Sequence, residues 1–478
     1  MLIRMCAVVV KDIMATFRRA PTQTFMTGLA LWLGLFLCSP LQATALDVAS
    51  TVHEYVLTNG LKVLLVESTK APVVTVQIWY KVGSRNEVMG RAGLSHMLEH
   101  MMFKGTERYP KGTFSRLIRK NGGNDNAFTS QDFTAYFENV AADRVELALS
   151  LEADRMQGLQ LNEKEFQLER EVVKEERRLR TEDDPQSSLV EMLFAQAFLM
   201  HPYHWPVIGW FSDLNAMSLE DLKTYYDTYY SPNNATLVVV GDLKADTLIE
   251  TIKRLFEPIP KGPTTPPQRV VEPDQRGERR FLLKREAELP FAMVGYRVPN
   301  YTSDDSYALT ILESILSHGK SSRLYRSLVY EQKIALAVGT EYNLLQTDPE
   351  LLYCFAVVKP GSKIEDVEQA LYREFERVQE NPPTEQELQR AKNQVEAEYL
   401  FGQDSNFRQA MVLGQAETVG AGWRHIDKFL ERIRGVTVQD VQRVAHQYLT
   451  PDTRTVGTLI PMAPSGESAA LSERSAGH

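Results

Sequence analysis

Apolar residues run almost unbroken through Val73-Val-Thr-Val-Gln-Ile-Trp-Tyr80 and again through Phe291-Ala-Met-Val-Gly-Tyr-Arg-Val298. Short runs rich in β-branched and aromatic side chains predict strands covered on both faces. Helical periodicities follow each strand, and each series closes on another strand-like run, Ala235 to Val240 and Thr455 to Ile460. The first closing run follows Tyr229-Tyr-Ser-Pro232 and the second follows Tyr448-Leu-Thr-Pro451, an offset of 219 residues. Asn162-Glu-Lys-Glu-Phe166 and Thr384-Glu-Gln-Glu-Leu388, each opening a charged helical pattern, are offset by 222. A duplicated unit explains both offsets. Because strands and helices mix without strict alternation, the expected class is α+β: two homologous domains, each a mostly antiparallel sheet covered by helices.

Six prolines between Pro258 and Pro273, with little apolar content, mark an extended connection near the middle. The expected organisation is a leader at 1–45, a first domain at 46–257, a linker at 258–277, a second domain at 278–463 and a disordered Ser/Ala/Gly-rich tail at 464–478.

The leader expectation rests on Arg18 and Arg19, the apolar run from Phe25 to Cys38, then Pro40 and Ala43-Thr-Ala45. That is a secretory pattern with cleavage after Ala45, and 14 apolar residues fall short of the ~20 needed to span a bilayer. An exported, periplasmic protein without a stable membrane span follows. Loss of the leader moves the formal charge from -9 to -12, which disfavours nucleic acid and anionic membrane as partners. Cys6 and Cys38 leave with it, and Cys354 alone cannot form an internal disulfide.

Candidate chemistry concentrates in Gly93-Leu-Ser-His-Met-Leu-Glu-His-Met101, an H-x-x-E-H pattern on a predicted helix. His96 and His100 stand one turn apart, where two neutral imidazoles reach one Zn²⁺, and Glu99 on the same flank can take a proton from a water at the metal. A third ligand is required. The acidic segment Glu169-Arg-Glu-Val-Val-Lys-Glu-Glu-Arg177 offers Glu169 and Glu176 on one face and Glu171 and Glu175 on others, and spacing alone leaves the choice open.

The inverted motif is the signature of the inverzincins. With Asn59-Gly-Leu61, Gly122-Gly-Asn-Asp-Asn-Ala-Phe-Thr129, Glu169-Arg170 and Pro232-Asn-Asn-Ala-Thr-Leu237, the chain resembles the pitrilysin-like M16 metallopeptidases over nearly all of residues 51–461, more the processing-peptidase branch than the insulin-degrading one. The resemblance implies a two-lobed clamshell admitting unfolded peptides and one Zn²⁺ per chain, held by His96, His100 and Glu176. It implies Glu99 as general base, Glu169 behind the ligands, and a substrate strand added along Asn126, Ala127, Phe128 and Thr129.

The second half carries no such motif: Thr310 and Ser314 stand where the histidines would be, and His201 and His204 read as hydrogen-bonded loop residues. Active relatives carry an Arg and a Tyr in a segment like L-R-E-x-x-G-L-A-Y. Here the stretch is Leu328-Val-Tyr-Glu-Gln-Lys-Ile-Ala-Leu336, with Val329 and Leu336 at those two places. The implied partner is a related M16 subunit supplying the pair, or a second copy in a homodimer, with Arg323, Tyr325 or Tyr330 as local substitutes. The expected function is a zinc endopeptidase; the alternative is a noncatalytic scaffold subunit.

Overall fold

A computed structural model describes residues 52–462; the leader with its cleavage point and the tail 464–478 lie outside the described residues. The first half builds a six-stranded sheet from β1 (Val52–Val56), β2 (Lys62–Glu67), β3 (Val73–Tyr80), β4 (Asn124–Thr129), β5 (Thr134–Ala141) and β6 (Ala235–Gly241), in the order β1-β2-β6-β3-β5-β4. The second builds a five-stranded sheet from β7 (Arg279–Glu286), β8 (Phe291–Val298), β9 (Ala335–Glu341), β10 (Glu350–Val358) and β11 (Arg454–Met462), in the order β7-β11-β8-β10-β9.

Without β1 the two orders superpose: β6 and β11 are inserted in the same place, each parallel to one neighbour (β2, β7) and antiparallel to the other (β3, β8). All other pairs are antiparallel. No helix or strand lies between Phe256 and Arg279, where the prolines deny the backbone its ladder donors.

Helices α1 (Leu94–Met101), α2 (Glu163–Arg177), α3 (Pro185–Ala197), α4 (Leu219–Tyr229), α5 (Asp305–Ser317), α6 (Glu385–Gly402) and α7 (Asn406–Thr418) pack on these sheets or on one another. The first sheet is apolar on both faces because both are covered. Val63, Leu65, Val76 and Ile78 face a core shared with α1 and α2, whereas Leu64, Val66 and Trp79 face Ala410, Leu413 and Ala416 of α7. The second sheet receives α3 of the first half in the same manner, with Leu189 and Leu193 against Met293, Leu351 and Leu459. Each half therefore lends one helix to the other's sheet. At Gly414 a Cβ would fall 2.2 Å from the Trp79 ring, so only glycine lets α7 approach β3 this closely.

Candidate metal centre

α1 is short, and its buried residues Leu94, Met97, Leu98 and Met101 fix its apolar face inward. The opposite flank carries His96, Glu99 and His100 toward α2, whose Asn162 caps its own first turn by accepting Glu165 N–H at 3.0 Å. Across this contact Nε2 of His100 lies 3.1 Å from Glu176 Oε2, and Nε2 of His96 lies 3.7 Å from the same oxygen. Ligand atoms of His96, His100 and Glu176 all fall within 4.8 Å of one another, the one such group of three among the described residues.

The outer groups hold this arrangement. Glu169, one heptad before Glu176, lies 2.9 Å from His100 Nδ1 and also pairs with Lys104. A carboxylate can only accept, so Nδ1 donates its proton to Glu169, and Nε2 is the ring nitrogen turned toward Glu176. Arg180 forms an ion pair with the other Glu176 oxygen at 2.5 Å, from a π-helical turn at Arg178–Glu182. Burial would raise Glu176, but His100, His96 and Arg180 outweigh it and hold it at about 2. Burial would lower His100, but its hydrogen bond to Glu169 and the charge of the adjacent Glu176 lift it to about 9, while burial and the His100 charge push His96 down to about 3. One imidazole is thus neutral and the other shares its proton with a carboxylate. A dication can displace that proton.

The donor set fits zinc: two imidazole nitrogens and a carboxylate oxygen that is buried yet has no hydrogen-bond partner. Glu99 sits beside the group, raised by burial, and accepts the Thr129 hydroxyl at 2.5 Å. Thr129 ends β4, which pairs only with β5 and so forms the sheet's edge. Of the other edge residues, Asn126 is exposed, Ala127 packs on the first core, and Phe128 packs edge-on against Trp79.

The remaining sequence candidates lie elsewhere. His201 Nε2 is 3.0 Å from Asp348 and His204 packs on Trp205. Val329 packs on the second core, Leu336 is half exposed, and Arg323 is held by both oxygens of Glu387 at 2.9 and 3.1 Å. Lys104 and Arg180 gave no sequence signal, because a charged residue on an acidic helical surface does not reveal which ligand it touches.

The family model described as Insulinase (Peptidase family M16) matches residues 62–209, and that described as Peptidase M16 inactive domain matches residues 216–395. The chain is 33% identical to "Zinc protease PqqE" of Helicobacter pylori over 86% of this chain and 93% of that one. It is 27% identical to the probable mitochondrial-processing peptidase subunit beta of Arabidopsis thaliana over 85% of this chain and 78% of that one. A crystal structure of a protease from Helicobacter pylori superposes with a TM-score of 0.83 at 33% identity, covering 86% of this chain and 99% of that one. The chain belongs to peptidase family M16, on its processing-peptidase-like side.

Proposed function

We propose that this chain is an exported zinc-dependent endopeptidase for unfolded peptides. His96, His100 and Glu176 hold the metal, Glu99 acts as general base, and Glu169 orients His100. The observation that carries the reading is the meeting of three ligand atoms within 4.8 Å beside the half-buried Glu99 carboxyl on the same helical turn. When bound, zinc supplies Lewis acidity to the attacking water and the scissile carbonyl. Glu99, whose proton affinity is raised by burial, accepts the water's proton and returns it to the leaving amine. Thr129 holds that carboxyl toward the edge strand, where Asn126, Ala127, Phe128 and Thr129 offer backbone groups to an extended peptide. The leader at 1–45 supports a periplasmic location.

Val329 and Leu336 offer no donor to a developing oxyanion, so the reading includes a partner, a related M16 subunit carrying the Arg/Tyr pair, that completes the site. A scaffold subunit would have no use for Glu99 beside the ligands. The test is cleavage of an unstructured peptide, abolished by a chelator and restored by Zn²⁺. Cleavage insensitive to chelation would overturn the reading.

A further inference from the structure

Residues 83–87 connect the metal helix to three other parts of the molecule. α1 begins at Gly93, whose φ of 97° is left-handed and which has no side chain to cap the helix. Several other helices are capped by the side chain of the residue before them, as Ser218 caps α4 and Thr384 caps α6. For α1 the acceptors come from elsewhere. Glu87, 3% exposed, takes Gly93 N–H on Oε2 and Ser95 N–H on Oε1, both at 2.7 Å. Asp213 takes Ala92 N–H at 2.9 Å. Ser95 Oγ lies 2.7 Å from Tyr225 of α4, whose hydroxyl donates on to Gly83 O at 3.2 Å. Arg177, next to Glu176, donates at 2.8 Å to the carbonyl of Gly209, whose Cα backs directly on Gly93.

The other end of this segment is tied to the second half. Arg85 Nε donates to Asp348 at 2.6 Å, and Asp348 also meets His201. Arg85 N–H donates to Gln131 O at 2.9 Å and Ser84 N–H to Ser130 O at 3.2 Å, in the turn that leaves edge strand β4. Gln268 of the proline-rich connection donates to Arg85 O at 3.0 Å.

We propose that Glu87 is a positioning residue for the metal centre, and that Arg85 couples its setting to the second half through Asp348. The inference rests on His96, His100 and Glu176 holding zinc. Ser95 immediately precedes His96, so a buried carboxyl that accepts the Gly93 and Ser95 N–H groups sets the axial position and rotation of both histidines. The second half, without a metal motif of its own, thereby acts on the centre of the first.

The test is Zn²⁺ affinity by competition with a chromophoric chelator, measured on the full mature chain, together with kcat and KM for peptide cleavage. Glu87→Gln keeps one acceptor and loses the other; it is expected to weaken Zn²⁺ binding by ~10–100-fold and to lower kcat with KM little changed. Glu87→Asp should recover part of both, and Asp348→Asn should shift both in the same direction by less. Thr384→Ala, which weakens the cap of α6 in the second half, should change neither. Wild-type affinity in Glu87→Gln, or equal weakening by Thr384→Ala, overturns the inference. If Glu87→Gln does not fold, Asp213→Asn decides by the same two outcomes. A wild-type chain that takes up no zinc removes the metal reading itself, whereas equal binding by wild type and Glu87→Gln removes only the positioning role.

Discussion

Thr129 donates its hydroxyl to Glu99 across 2.5 Å, joining the last residue of an edge strand to the carboxyl beside the histidines. The second half preserves this relationship without the metal motif: Thr340 of edge strand β9 lies 3.4 Å from Glu313 of α5. Glu398, 222 residues after Glu176, pairs with His318 at 2.9 Å. The second half thus has the corresponding carboxyls without the two histidines, with Thr310 and Ser314 in their places.

Glu313 gives a pH prediction. Burial, then the charges of Glu341 and Glu398, push its carboxyl up to about 8 against the ordinary 4.5. The folded state binds this proton more tightly than the unfolded one, so its contribution is intact below pH 4.5 and is lost as pH rises through about 8. Glu313→Gln should remove that loss. The melting temperature of the variant minus that of wild type should rise between pH 5 and pH 9; a constant difference would refute the assignment.

Lys333 is the one non-glycine among the described residues with a positive φ, 56°, and it stands where the family pattern has glycine. A left-handed backbone costs a side-chain-bearing residue ~1–2 kcal/mol, partly offset by the greater unfolded freedom of glycine. Lys333→Gly should therefore stabilise the chain by ~0.5–1 kcal/mol in urea denaturation. Destabilisation would show that the Lys333 side chain contributes more than its backbone costs.

Strands β3 and β8 were legible because eight-residue apolar runs with β-branched residues have few other uses. The helix exchange was not. The apolar stripe of α7 reveals that one face is covered, but Trp79 as its cover is a tertiary fact. The parallel pairs β2–β6 and β7–β11 also lay beyond the sequence, since periodicity does not encode strand direction. At the centre, spacing placed His96, Glu99 and His100, whereas Glu169 and Glu176 share a face and only the family resemblance separated them. Glu87 gave no signal, because its partners are backbone N–H groups six and eight residues away.

The distinct places of Glu169 and Glu176 predict different phenotypes. Glu176→Gln should lose most metal affinity, and Glu169→Gln should chiefly lower activity, with changes of ~10–100-fold typical for a group behind a ligand. A metal titration in which Glu169→Gln is the more damaging change would reverse the two roles.

Completion of the site by a partner predicts that the chain alone is a slow enzyme. Losing an oxyanion donor commonly costs ~10²–10³ in rate, and co-expression with a similarly sized relative carrying the Arg/Tyr pair should restore that factor. Full activity of the isolated monomer would show that the chain needs no complement. Full activity of a homodimer would contradict the complementation equally, because a second copy carries the same Val329 and Leu336.

The most direct test is zinc per chain, measured by elemental analysis of the purified protein alongside peptide hydrolysis, for wild type, Glu99→Gln and His96→Ala. The account predicts one zinc in wild type and in Glu99→Gln, little in His96→Ala, and chelator-sensitive hydrolysis in wild type alone. Equal zinc in wild type and His96→Ala, or wild-type hydrolysis by Glu99→Gln, would contradict it.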